Sequence, residues 1–325
     1  MNDYSEREYT SQKDSYTTIQ TPPVKRNRYW INALLFGLTI LTTMLTGAFH
    51  MGILWGDIWN DFSLLLVGWK YSFAVLLILT SHEMGHYFAA RWYGVPTTLP
   101  YYIPVPFEGF HFGTMGAFIK LKAPIPNRGV LMDIGAAGPL AGFIVSILFL
   151  FYGYLTLPDL PGIIAHVEKI HPWDYSGGVP LTLGSSLLFY FFNNILGGGI
   201  LPMSEVYHFP FIFAGWIGFL VTALNLLPIG QLDGGHIVYA LFPHRAKLLN
   251  RVAFGGLVGL TVFLFMEKGA FGSIWIPWMI ILSFIGLRHP PTLNDLIPIN
   301  RRQKIWGWVC LAIFVLCFIP LPIYF

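Results

Sequence analysis

Residues 71–90 form a run apolar enough to cross a bilayer, yet the run carries His82, Glu83 and His86. Ionisable side chains are costly in hydrocarbon and are tolerated where they face other helices or trapped water. Such a run cannot stand alone in lipid, so it needs neighbouring spans that enclose its polar face. The composition agrees: of 325 residues, 55% are hydrophobic and 11% charged, against about 25% charged in a soluble domain. Further apolar runs fall at 30–50, 130–155, 209–227, 252–266, 271–287 and 305–325. A span needs roughly 20 apolar residues, so these runs predict an all-α polytopic membrane protein with about six to seven transmembrane helices. The net charge of +3 is small and dispersed, which argues against a nucleic-acid partner. Lipid is the expected surroundings.

Polar and basic stretches divide the chain. Residues 1–23 are rich in Tyr, Ser, Thr and charge, with no apolar core of the kind a signal peptide needs. Residues 1–29 are expected to form a disordered cytoplasmic tail. Residues 30–291 are expected to form the main membrane domain, and 292–325 a cytoplasmic linker with a final transmembrane helix. Basic residues cluster at Lys25, Arg26 and Arg28, at Arg245, Lys247 and Arg251, and at Arg301, Arg302 and Lys304. Placing each cluster in the cytoplasm puts the N-terminus there, together with the ends of the second and fourth runs. The expected location is the cell (plasma) membrane.

Prolines at 96, 100, 104, 106, 124 and 126 interrupt any helix after the second run. Within that stretch, 116–123 (GAFIKLKA) alternates as a strand does, with Lys120 and Lys122 on one face. A small membrane-associated β region is expected there. The small residues of 135–142 suit close helix packing. Residues 181–196 suit an interfacial helix, with the aromatics of 188–192 as an interfacial belt. Cys310 and Cys317 match no zinc spacing and are read as packing residues.

His82-Glu83-Met84-Gly85-His86 is an H-E-x-x-H motif. On a helix its histidines lie one turn apart on one face and can share a metal, while Glu83 can act on a water held there. Catalytic zinc usually takes three protein ligands. Asp233 is the candidate third, because it follows the fourth run after the helix break at Pro228 and precedes two glycines. A carboxylate at that depth is costly unless paired or metal-bound.

The pairing of H-E-x-x-H with Asn225, Pro228, Leu232, Asp233 and Gly234, an N-x-x-P-x-x-x-L-D-G pattern, resembles the site-2 protease family over roughly residues 64–243. The resemblance implies an intramembrane endopeptidase that cuts membrane-spanning protein substrates with one zinc ion. It implies His82, His86 and Asp233 as ligands, Glu83 as the catalytic acid/base, and Asn225 as a substrate-positioning or oxyanion group. Many members carry a PDZ domain, for which no room is seen here. Two other readings stay open: a transporter or channel using the same polar residues, and an inactive relative that only binds membrane helices. His111 and His236 are expected to be hydrogen-bonded structural histidines. Asp133 is expected to be a boundary carboxylate reaching the interface, and His166, His171 and His208 to lie on the outer side.

Overall fold

The computed structural model describes residues 28–107, 111–171, 181–269, 275–286 and 289–324. The expected disordered tail lies almost wholly outside them. Helix α1 (Tyr29–Phe49) leads through a 3-10 turn at Phe62–Gly68 into α2 (Trp69–Trp92). Strands β1 (Tyr101–Pro104) and β2 (Thr114–Phe118) follow, then α3 (Arg128–Leu155) and α4 (Leu160–Ile170). After β3 (Thr182–Leu183) and a short helix at Leu187–Phe191 come α5 (Pro210–Leu226), α6 (Asp233–Leu241), α7 (Ala246–Lys268), α8 (Ile276–Ile285), α9 (Arg301–Cys317) and β4 (Ile323–Tyr324).

The polytopic α-helical class holds, with small antiparallel sheets beside it. Among the described residues four helices are long and apolar enough to cross a membrane: Tyr29–Phe49, Phe62–Trp92, Arg128–Leu155 and Ala246–Lys268. The remaining apolar runs make shorter helices. At 1.5 Å per residue, 17-residue α5 reaches about 25 Å and 10-residue α8 about 15 Å, less than the ~30 Å hydrocarbon core. The last run also stops early. Its helix ends at Cys317, ahead of Pro320 and Pro322, and Thr182–Leu183 then pairs with Ile323–Tyr324.

The core lies where α2, α3 and α5 pack on one another. Trp216, Phe213, Phe219, Leu131, Met132 and Leu150 are fully buried there. The Trp216 indole donates to Gly184 O at 2.7 Å, so its one polar atom is satisfied. Cys310 and Cys317 of α9 join the same cluster as free, buried thiols, in keeping with a packing role. The aromatics of 188–192 divide: Phe189 and Phe192 enter the core, while Tyr190 and Phe191 stay exposed.

The buried face of α1 is a row of threonines. Thr39, Thr43 and Thr46 return their hydroxyls to carbonyls one turn back at 2.7–2.9 Å, which removes the cost of burying them. Thr42, 3.2 Å from Thr39 O, also reaches Gly113 O at 2.7 Å, and Asn32 donates to Pro100 O at 2.8 Å. Helix α1 thereby grips both strands of the hairpin. The strand segment begins and ends earlier than the alternation suggests, pairing Tyr101 with Phe118 and Tyr102 with Ala117. Lys120 and Lys122 fall beyond β2, although their backbones still bond Thr98 and Pro96 at 3.1 and 2.8 Å. The prolines confine regular pairing to the stretch between them.

Candidate metal centre

Two chain segments far apart in sequence build the site. Helix α2 presents His82, Glu83 and His86, all buried. Close approach of α3 is what covers them. A Cβ on Gly85 would run into Ala137 O, one on Gly138 would overlap the His86 ring, and one on Gly142 would lie 3.2 Å from His82 Cβ. The small-residue stretch of α3 is thus a packing surface, as expected, and it packs directly against the motif.

The second segment is the corner between α5 and α6. Helix α5 stops at Leu226, just ahead of Pro228, and the chain turns through Gly230 at φ +58°. Helix α6 then starts at Asp233. A Cβ on Gly234 would collide with the carbonyls of Leu226 and Leu227, and one on Gly235 with Gly230 O. Only glycines let α6 start this close to the end of α5, and that proximity delivers the Asp233 carboxylate.

The three side chains converge. His86 Nε2 lies 3.1 Å from His82 Nε2 and 3.2 Å from Asp233 Oδ2, and His82 Nε2 lies 3.4 Å from the same oxygen. These residues are the one group of three or more potential ligands found among the described residues. The Ile134 carbonyl, which can only accept, takes the Nδ1 proton of His86 at 2.8 Å and leaves its Nε2 lone pair facing the other ligands. A tetrahedral zinc with bonds of 2.0–2.1 Å places its ligand atoms about 3.3 Å apart. The observed triangle fits that ion without rearrangement.

Glu83 Oε1 lies 4.0 Å from His82 Nε2, and Ile119, beyond β2, lines the same cavity. Asn225 Nδ2, one turn before the corner, lies 3.4 Å from His82 Nε2. A cavity of about 230 Å³ opens on these groups, walled by Ala117, Phe118 and Ile119 on the hairpin side and by Gln231 and His236 on the corner side. All five sequence-derived candidates therefore meet at one place.

Other polar residues fare differently. His111 is structural: Gly113 N–H donates to its Nδ1 at 2.8 Å, and its Nε2 donates to Phe107 O. His236 is also hydrogen-bonded, to His289 at 2.6 Å, but it does line the cavity. His171 and His208 sit 2.9 Å apart beyond the start of α5, the opposite end from Asn225. Asp133 is a paired carboxylate. Its Oδ2 accepts from Tyr93, from Gln303 at 2.9 Å and from Arg302 at 3.2 Å, clamping α9 to α3. The donors come from elements distant in sequence, which explains why its inward orientation was not legible. The Ile134 carbonyl and His289 were also missed, because backbone groups and tertiary partners leave no mark in a motif.

A family model described as peptidase family M50 matches residues 70–266. A probable zinc metalloprotease EGY1, chloroplastic, of Arabidopsis thaliana is 31% identical over 252 residues, covering 77% of this chain and 42% of that protein. The protein of the same description from Oryza sativa subsp. japonica is 32% identical over 254 residues, covering 77% and 40%. A probable zinc metalloprotease EGY2, chloroplastic, of A. thaliana is 25% identical over 302 residues, covering 91% and 50%. The chain spans half or less of the length of these relatives. No solved structure matches it.

Proposed function

Because this chain belongs to peptidase family M50, the site-2 protease family, we propose that it is a zinc-dependent endopeptidase that hydrolyses peptide bonds of membrane-spanning proteins within the bilayer. One observation carries the reading: two imidazole nitrogens and one carboxylate oxygen, 3.1–3.4 Å apart, converge beside a glutamate in a buried cavity. The proposed ligands of a single ion are His82, His86 and Asp233. Zinc, when bound, supplies Lewis acidity that acidifies a water and polarises a carbonyl. Glu83 takes the proton of the attacking water and returns it to the leaving amine. Asn225 lies close enough to the ligands to donate to the carbonyl oxygen as negative charge develops there.

A peptide bond inside a helix is shielded, so the substrate has to be extended before it is cut. Residues 117–119 line the cavity and offer a backbone edge for strand addition. We take residues 30–291 as the catalytic unit, with α9 as a buttress packed on α5. The chloroplast location given for the relatives departs from the cell-membrane expectation, so the location proposed here is multi-pass membrane insertion without a named compartment. Within it, the site end is assigned to the side that holds the basic clusters, the cytoplasmic face under the positive-inside rule.

Glu83→Gln tests the proposal. It preserves the side-chain shape and the three ligands while removing the base. New protein N-termini in membranes of cells expressing the wild type should disappear with the variant, while purified variant retains zinc. Unchanged termini would refute the peptidase reading, and metal uptake into vesicles undiminished by Glu83→Gln would point to a transporter.

A further inference from the structure

We propose that an apolar cavity on the membrane-deep side of the ligands is a side-chain subsite that selects a large apolar residue beside the scissile bond. This rests on the peptidase reading above. The cavity measures about 240 Å³ and shares His82, Glu83, Ala117 and Asn225 with the site cavity, so the two spaces are continuous at the catalytic groups. Its walls run deeper into the bundle. Leu79 and Val75 lie one and two turns before His82 on α2, and Val221 and Ile217 stand in the same relation to Asn225 on α5. A substrate strand seated at Glu83 would have one neighbouring side chain directed into this space. A cavity of roughly 150 Å³ lined by aliphatic and aromatic groups holds a benzene ring. This one is large enough for phenylalanine, leucine or methionine, and away from the catalytic groups its lining is apolar apart from Thr114.

The far wall is Trp278, at the start of α8, outside the residues 70–266 that the family model matches. Its indole Nε1 is buried and has no hydrogen-bond partner among the described residues. A buried donor without an acceptor is destabilising, and native structures rarely keep one without a reason. A substrate backbone carbonyl entering beside the apolar side chain would supply the missing acceptor. The subsite therefore draws on a part of the chain that the catalytic centre does not use: α2 and α5 supply most of its walls, and α8 adds Trp278.

The test compares newly formed N-termini in membranes of cells expressing the wild type, Glu83→Gln, Val221→Phe, Trp278→Ala or Trp278→Phe, each variant purified and assayed for zinc. Glu83-dependent cuts should carry Phe, Leu or Met at one fixed position beside the cleaved bond. Val221→Phe fills the cavity and should shift that position to Ala, Ser or Val. Trp278→Ala enlarges it and should admit Trp. Trp278→Phe keeps the wall but deletes the N–H, and should slow cleavage about fivefold, the worth of one neutral hydrogen bond, without changing the preference. Absence of any Glu83-dependent terminus refutes the peptidase reading itself. Glu83-dependent termini with no apolar enrichment, or with an enrichment that neither cavity variant moves, refute the subsite and leave the peptidase standing.

Discussion

Gly138→Ala is the sharpest test of how the metal centre is held. A methyl group at this position would overlap Nε2 and Cδ2 of His86. Non-bonded heavy atoms settle at about 3.5–4.0 Å, so the ring would have to retreat by roughly 1 Å or more, whereas ligand distances tolerate about 0.2 Å. Moving the ring also breaks the 2.8 Å bond from His86 Nδ1 to Ile134 O. Loss of an outer hydrogen bond alone costs about 10–100-fold in metal affinity, so displacing the ligand should cost at least about 100-fold. The overpacking itself should destabilise the bundle by only about 1–3 kcal/mol, leaving a folded protein to measure. Zinc content after dialysis against a graded chelator series provides the assay, with helical circular dichroism in detergent as the folding control. Gly142→Ala should lie between Gly138→Ala and the wild type, because its contact with His82 Cβ at 3.2 Å needs only a small adjustment. Gly37→Ala, with open space around it, should match the wild type. A folded Gly138→Ala protein that holds zinc as tightly as the wild type would refute the packing argument.

Gly234→Ala should lower the thermal unfolding midpoint and the zinc content together, since its methyl would meet the Leu226 and Leu227 carbonyls and push α6 from α5; a drop in only one of the two would contradict this. Asp133→Asn should destabilise the fold by about 1–3 kcal/mol by weakening the acceptor shared by Tyr93, Gln303 and Arg302, seen as a lower midpoint with zinc retained. Burial first, then the neighbouring histidines, lowers the His208 pKa to about 4 from 6.5, although its bond to the His50 carbonyl opposes the shift. The folded state therefore favours neutral His208, and its contribution is complete above about pH 6.5 and declines as the pH falls toward 4. At pH 5 the loss is about 2 kcal/mol. The groups facing this ring are the His50 carbonyl, His166, His171 and Glu205. His208→Gln should shrink the difference in midpoint between pH 7.5 and pH 5, and an unchanged difference would remove His208 as its cause.

The site was more legible than the frame around it. His82, Glu83, His86 and Asp233 stand out in sequence because hydrocarbon penalises each of them unless something compensates, and few residues qualify. The α5–α6 corner could be read from Pro228 and the paired glycines, whose backbone consequences are local. Span counting was less reliable, because hydropathy reports the apolar character of a run and not the length of its helix. The runs holding α5 and α9 are apolar, but their helices stop ahead of Pro228 and Pro320. Asp133 shows the same limit from the polar side. Its place in the third run was readable, but its three donors, Tyr93 just past α2 and Arg302 and Gln303 of α9, could not be seen until the chain was folded. Trp278 lies at the extreme: nothing near it in sequence connects it to His82.

The threonine grip between α1 and the hairpin has a mechanical consequence. With Asn32 tied to the chain leading into β1 and Thr42 to the chain leading into β2, neither strand can swing without dragging the helix. A doorway for an incoming transmembrane segment on this side would therefore open as a single stiff panel. Its latch would be the Thr43–Ser72 hydroxyl pair at 2.7 Å, which joins the panel to α2.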